Sequence, residues 1–188
     1  MIILIDCGSS KTPHIESIIY ECMDVRVVPM FDFKREEHLD ALGFVISGAP
    51  ILITEVNIEP YLKQFEWLLT EEKPVLGICF GHQMLGLTYG AISNRQKEDR
   101  DWQVIELIAE SPLFDKLPQE FEMMEDHCEA IGIPPNFKHL AVSDATINEA
   151  MAHQTKLQFG VQFHPEVSGN LGACILENFV HICEKATS

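Results

Sequence analysis

Val75-Leu76-Gly77-Ile78-Cys79-Phe80-Gly81-His82-Gln83 is an apolar run that ends in Gly-x-Cys-x-Gly and passes directly into a second apolar pattern at Met84, Leu85 and Leu87. The first four residues have the make-up of a strand buried on both faces, and the later spacing is helical. Only a sharp turn fits between them, with Gly77 and Gly81 standing where side chains would obstruct a close backbone approach. The segment predicts strand, turn and helix, with Cys79 projected in a strained conformation from the carboxyl end of a sheet. This is a nucleophile elbow with sulfur in place of the hydroxyl. At a helix start, unpaired N–H groups and the positive end of the macrodipole favour a thiolate, the attacking species. The N–H of Phe80 would point to where a carbonyl oxygen acquires negative charge. A buried strand-turn-helix could also use the same residues for packing alone.

Upstream of the elbow, short β-branched runs alternate with amphipathic stretches. Ile2-Ile3-Leu4-Ile5 reads as a buried strand, and Ile15, Ile18, Ile19 and Cys22 recur at helical spacing after the turn-forming Cys7-Gly8-Ser9-Ser10. Residues 25–28 read as a second strand and Phe44-Val45-Ile46 as a third. Residues 61–69 read as a helix with Leu62, Phe65, Leu68 and Leu69 on one face. This alternation predicts an α/β domain whose central, mostly parallel sheet is built by right-handed crossovers and flanked by helices on both faces. Downstream, 94–101 is a polar, charged stretch, read either as a docking surface for a partner or as a solvated loop. Trp102-Gln103-Val104-Ile105-Glu106-Leu107 and the run at 157–163 alternate apolar with polar positions, as extra antiparallel strands with one wet face do. Residues 171–185 return to helical spacing. No repeat or linker appears, so 1–188 is expected to form one domain.

Composition narrows the function classes. Of 188 residues, 46% are hydrophobic and 22% charged, enough for a substantial core. The net charge of −16 would repel phosphate backbones and anionic headgroups, which disfavours nucleic acid and membrane surfaces as partners. Asp6 interrupts the apolar start, so that start reads as a strand rather than a signal peptide. The six cysteines, at 7, 22, 79, 128, 174 and 183, read as reduced thiols of a cytoplasmic protein. Cys79 and His82 have a ligand-like spacing that no second pair supports, so neither a metal nor another cofactor is expected.

A thiolate nucleophile needs a base, and Phe159-Gly160-Val161-Gln162-Phe163-His164-Pro165-Glu166-Val167 offers one where a strand ends on His-Pro-Glu. Pro165 terminates the strand and stiffens the turn. A carboxylate on one ring nitrogen of His164 would set the tautomer and leave the other nitrogen facing sulfur. The chain order Cys79, His164, Glu166 differs from the nucleophile, acid, histidine order of α/β-hydrolases.

Gly-Ile-Cys-Phe-Gly-His-Gln followed downstream by Val-Gln-Phe-His-Pro-Glu-Val resembles the class I, or triad, glutamine amidotransferases. Ile5-Asp6-Cys7-Gly8-Ser9, Ile46-Ser47-Gly48-Ala49-Pro50 and Arg100-Asp101-Trp102 resemble further segments of that family. The C-terminal part is most similar to the separate glutaminase subunit of archaeal-type GMP synthases. The resemblance implies a flavodoxin-like fold and hydrolysis of L-glutamine to glutamate and ammonia through a Cys79 thioester. In it His164 moves protons, Glu166 orients His164, and backbone N–H groups of Gly48 or Ala49 and of Phe80 hold the oxyanion. It implies that Gln83 contacts the substrate amide and, more distantly, that Cys128 and Glu129 lie where glutamine's amino-acid end is held. Ala49 replaces a glycine and is tolerable only without a positive φ. His127, in the Asp126-His127-Cys128-Glu129 stretch, could instead face a synthetase partner. No phosphate-cradling motif is present, so a separate ATP-dependent synthetase is expected to use the ammonia, on this resemblance to convert XMP to GMP. The glutaminase subunit of anthranilate or aminodeoxychorismate synthase, and a non-catalytic regulatory module on the same scaffold, are the competing readings.

Overall fold

A computed structural model describes residues 1–186; the last two positions of the expected 1–188 domain lie outside the described residues. The buried strand pattern of Ile2-Ile3-Leu4-Ile5 becomes β1 (Ile2–Asp6), followed by α1 (Thr12–Tyr20), β2 (Val25–Pro29) and β3 (Gly43–Ile46). Next come α2 (Glu59–Phe65), β4 (Val75–Ile78) and α3 (Phe80–Thr88). The second half adds β5 (Ser93–Asp99), β6 (Trp102–Leu107), β7 (Glu120–Met124), β8 (His127–Ile131) and β9 (Phe137–Val142). It closes with β10 (Ala150–His153), β11 (Gln158–Val161) and α4 (Gly169–Ala186).

Among the described residues, nine strands form one sheet in the order β2-β1-β3-β4-β11-β10-β9-β6-β7. The pairings from β2 through β11 are parallel, and those from β11 to β7 are antiparallel. The parallel half is the βαβ array that the sequence predicts. Alternate side chains of each strand enter opposite layers. Ile2 and Leu4 join a cluster with Ile15, Leu76, Leu176 and Phe179 beneath α1 and α4. Ile3 and Ile5 join Phe44, Phe65, Phe80 and Met84 beneath α2 and α3. Each large side chain sealed in these layers contributes about 1.5–3 kcal/mol, which is what holds the helices on both faces.

Four expectations are corrected. The polar stretch 94–101 is not a loop over most of its length: β5 pairs antiparallel with β8 in a separate two-stranded sheet, held by backbone bonds that charged side chains do not prevent. The strand within 157–163 has no wet face. All four residues of β11 are buried, because it lies between β4 and β10 and is covered on both sides. The helix over 61–69 tightens to a 3₁₀ turn at Glu66–Leu69, which leaves Leu69 exposed while Leu68 stays buried. Cys22 lies past the end of α1 and is exposed. Among the described residues no helix is long and apolar enough to cross a membrane.

Candidate active site

The carboxyl ends of β1, β3, β4 and β11 converge on one side of the sheet, where ligands of open α/β sheets bind. Cys79 caps α3 with φ 51° and ψ −105°, a left-handed conformation that β-carbon-bearing residues rarely adopt. Its N–H donates to the Val161 carbonyl at 2.9 Å and its carbonyl accepts from the Gln83 N–H at 3.0 Å, so the surrounding ladder enforces the strain. A β-carbon at Gly77 would stand 2.4 Å from the Gly81 carbonyl oxygen, and one at Gly81 2.3 Å from that of Ile46. Backbone contacts this close admit only glycine, which is the physical content of the Gly-x-Cys-x-Gly pattern.

His164 follows β11 and is tied by its N–H to the Met124 carbonyl at 2.9 Å. Its Nδ1 lies 2.7 Å from Glu166 Oε1, and both side chains are buried. His164 caps the 3₁₀ turn Pro165–Val167 that carries Glu166, and its carbonyl accepts from Ser168 Oγ at 2.6 Å. Burial by itself would push the His164 imidazolium down. The interaction with the Cys79 sulfur and the bond to Glu166 outweigh it and push the group up to about 10. Cys79, His164 and Glu166 therefore form a contiguous line, brought together from distant parts of the chain.

Gly48 lies against this line: a β-carbon there would be 3.2 Å from His164 Cε1 and 3.6 Å from Cys79 Cβ. Among the described residues the N–H groups of Gly48 and Ala49 donate to no protein acceptor, so both are available to a ligand. Ala49 does not adopt a positive φ, and its β-carbon is accommodated without strain. Ser47 Oγ accepts from the Cys7 N–H and donates to the Gly48 carbonyl, each at 2.9 Å, locking the loops after β1 and β3 together.

These groups open onto a cleft of about 510 Å³ whose lining includes Ser9, Lys11, Ala49, Cys79, Gln83, Arg100, Asp126, Cys128, Glu129 and His164. Lys11 pairs with Asp126 at 2.5 Å, and Arg100 lies 3.4 Å from the same carboxylate. Burial would raise Asp126, yet the Lys11 ammonium, with help from His164 and Arg100, holds it below the usual carboxylate range. A charged mouth of this kind suits a zwitterionic ligand. A larger groove of about 1030 Å³ along Leu107, Phe114, Lys138 and Lys185 shares no residue with the cleft and holds no nucleophile beside a base.

The remaining expected residues take specific places. Gln83 is buried at the cleft wall, with Nε2 donating to the Glu129 carbonyl at 3.0 Å and to Gln162 Oε1 at 3.2 Å. Cys128 is half-buried in the lining. The Glu129 carboxylate is occupied by the opposite wall: it accepts from the N–H groups of Ile53 at 2.6 Å and Thr54 at 3.0 Å and from the Thr54 hydroxyl. His127 does not face a partner. Its side chain is buried against Glu125, with Nε2 3.1 Å from a carboxylate oxygen and Nδ1 2.9 Å from the Glu129 carbonyl. Sequence reasoning assigned no role to Lys11, Asp126 or Gln162. The first two carry no motif, whereas Gln162 stands two residues before His164, on the same face of an extended chain, and that spacing could have marked it.

Comparison with known proteins agrees with this geometry. The family model described as Glutamine amidotransferase class-I matches residues 3–183. A protein of Pyrococcus furiosus named as the glutamine-hydrolyzing subunit of GMP synthase is 35% identical over 188 residues, covering 97% of this chain and 98% of the relative. Its namesake in Methanococcus aeolicus is 34% identical over 189 residues, covering 97% of each. Among solved structures, a putative GMP synthase subunit from Thermoplasma acidophilum matches with a TM-score of 0.90 and 28% identity over 98% of this chain and 94% of that one. A glutamine amidotransferase from Thermotoga maritima shares the fold, with a TM-score of 0.75 and 21% identity over 99% of this chain and 84% of that one.

Proposed function

The chain belongs to the class-I glutamine amidotransferases, and from that premise we propose that it hydrolyses L-glutamine with Cys79 as nucleophile, His164 as proton carrier and Glu166 as the group that orients His164. Cys79 Sγ attacks the side-chain amide carbon, and the oxyanion that forms is held by the N–H groups of Phe80 and of Gly48 or Ala49. His164 gives a proton to the nitrogen as the C–N bond breaks, so that ammonia leaves and a thioester remains. Water, losing a proton to His164, then attacks the thioester carbon and frees glutamate and the sulfur. Glu166 holds Nδ1 throughout and presents the opposite ring nitrogen to the sulfur and to the reacting groups. The observation that carries this reading is the buried line of Glu166, His164 and a sulfur held at positive φ on the first residue before a helix.

The ammonia goes to a separate ATP-dependent synthetase, and the acceptor is XMP, giving GMP. Full-length similarity to proteins named as the glutamine-hydrolyzing subunit of GMP synthase supports this assignment. The whole chain acts as one amidotransferase domain. All six cysteines are thiols, which supports a reducing compartment, the cytoplasm.

Glutamate release by purified protein, alone and with an ATP pyrophosphatase partner, ATP and XMP, tests both parts. Cys79→Ser is expected to lower release by at least about a thousandfold, since a hydroxyl has no deprotonated form at neutral pH. Release unchanged in that variant defeats the mechanism. GMP formed with XMP supports the acceptor; amination of chorismate instead, with the corresponding synthase, overturns it.

A further inference from the structure

Gln162 is fully buried beside the reacting sulfur, and its amide is the nearest neutral donor to it: Nε2 lies 3.6 Å from Cys79 Sγ. Which end of an amide faces a neighbour is decided by the network around it. Here the network has one solution. The Glu129 carbonyl can only accept, so the group of Gln83 that meets it at 3.0 Å is Nε2. The same nitrogen meets Gln162 at 3.2 Å, so the atom of Gln162 facing it is Oε1. Nε2 of Gln162 then points the other way, at sulfur. The backbone on either side is equally constrained, with the Gln162 N–H donating to the Glu149 carbonyl at 2.8 Å and the Cys79 N–H to the Val161 carbonyl at 2.9 Å.

We propose that Gln162 is a further catalytic residue, whose amide N–H donates to the Cys79 sulfur and stabilises it as the thiolate, with Gln83 and the Glu129 carbonyl as positioning groups that keep the donor aimed. The proposal rests on Cys79 being the nucleophile. Hydrogen bonds to an ionised acceptor are roughly twice as strong as neutral ones, and a dry site strengthens them further. The donor favours the anion selectively, because a thiol or thioester sulfur is a poor acceptor. It differs in kind from His164, which must give up and regain a proton each cycle, whereas the amide holds the sulfur without titrating. It also gives Gln83 a task that does not depend on substrate.

The test is the rate at which iodoacetamide alkylates Cys79 as a function of pH, read by mass spectrometry on the Cys79 peptide, with exposed Cys22 as internal reference. No glutamine or synthetase is needed. Gln162→Leu removes the donor and is expected to move the alkylation midpoint up by about one to two pH units, slowing the reaction about tenfold or more below the wild-type midpoint. Gln162→Glu places a carboxylate beside the sulfur and should move it further in the same direction. Gln83→Leu, which leaves Gln162 in place and frees it to turn, should give a smaller upward shift and serves if the Gln162 variants fold poorly. Cys22 should be unaffected in all three. A wild-type midpoint in Gln162→Leu, or in Gln83→Leu where the first cannot be prepared folded, overturns the proposal, as does a downward shift in Gln162→Glu. If wild-type protein releases no glutamate yet the midpoints shift as stated, the glutaminase reading has failed and the thiolate assignment stands.

Discussion

A methyl group added at Gly48 would be aimed at the imidazole, 3.2 Å from Cε1 of His164, while touching nothing else more closely than Cys79 Cβ and Ser9 Oγ at 3.6 Å. The contact is tight enough that the ring must give by a few tenths of an ångström, and the ring is the one part of the site whose placement against sulfur decides proton transfer. Gly48→Ala should therefore fold with a urea midpoint near wild type and lose about tenfold to a hundredfold in glutaminase kcat. A variant that keeps wild-type kcat would show that the ring has slack. Gly81 is the contrasting case. There the new β-carbon would meet backbone, 2.3 Å from the Ile46 carbonyl oxygen, and backbone cannot step aside. Gly81→Ala should cost about 1–3 kcal/mol or more of stability, read as a lower urea midpoint. The same substitution at two glycines thus separates a catalytic constraint from a folding one.

Strands β5 and β8 and the loop before β10 enclose a set of acids that the proposed mechanism does not use. Glu125 and Glu149 are buried side by side, with Asp99 and His127 beside them and Ser143 Oγ donating to Glu149 at 2.6 Å. Burial pushes Glu125 up to about 8 and, together with the charge of Glu125, pushes Glu149 up to about 9. A carboxyl raised in the folded state holds its proton there while the unfolded chain, titrating near 4.5, has released it. The folded state therefore binds more protons, and stability falls as pH rises from about 5 through 9. His164, raised to about 10, contributes with the same sign: its share is complete below the ordinary histidine range and is lost toward pH 10. Glu149→Gln removes one acid and leaves His164 as it was. We expect the urea midpoint of wild type to drop between pH 6 and pH 9 and that of Glu149→Gln to drop less. Equal slopes would mean that the pair is solvated when folded.

Across the whole molecule the order of strands differs from their order in the chain in one consequential place. β11 comes from near the C-terminus, yet it lies in the middle of the nine-stranded sheet, with β4 on one side and β10 on the other. Residues 1–156 contain every other strand of that sheet and the elbow, but without β11 the edge of β4 has no partner and the β10–β9–β6–β7 ladder is severed from the parallel half. A fragment ending at 156 should show no cooperative urea transition when near-ultraviolet circular dichroism is the probe. A sharp transition would mean that the parallel half is an independent folding unit. The same insertion couples chemistry to folding, because the strand that completes the sheet is followed directly by Gln162 and His164.

Local pattern carried the elbow, the βαβ array and the His-Pro-Glu turn into legibility. Glycine spacing, apolar periodicity and a strand-ending proline restrict the backbone over a few residues, and restrictions of that range are written in the chain itself. The charged run of β5 was not legible as a strand, because its partner β8 is distant in sequence and holds it by backbone hydrogen bonds that no side chain announces. The full burial of β11, the capture of the Glu129 carboxylate by Ile53 and Thr54, the turning of His127 inward and the aim of Gln162 at sulfur were likewise absent from any local reading. From its sequence alone this protein was determined to be a doubly covered parallel sheet bearing a cysteine nucleophile and a histidine–carboxylate pair. Only the tertiary structure decided which polar groups meet, since a hydrogen bond or a raised carboxyl depends on neighbours within a few ångströms that the chain supplies from dozens of residues away.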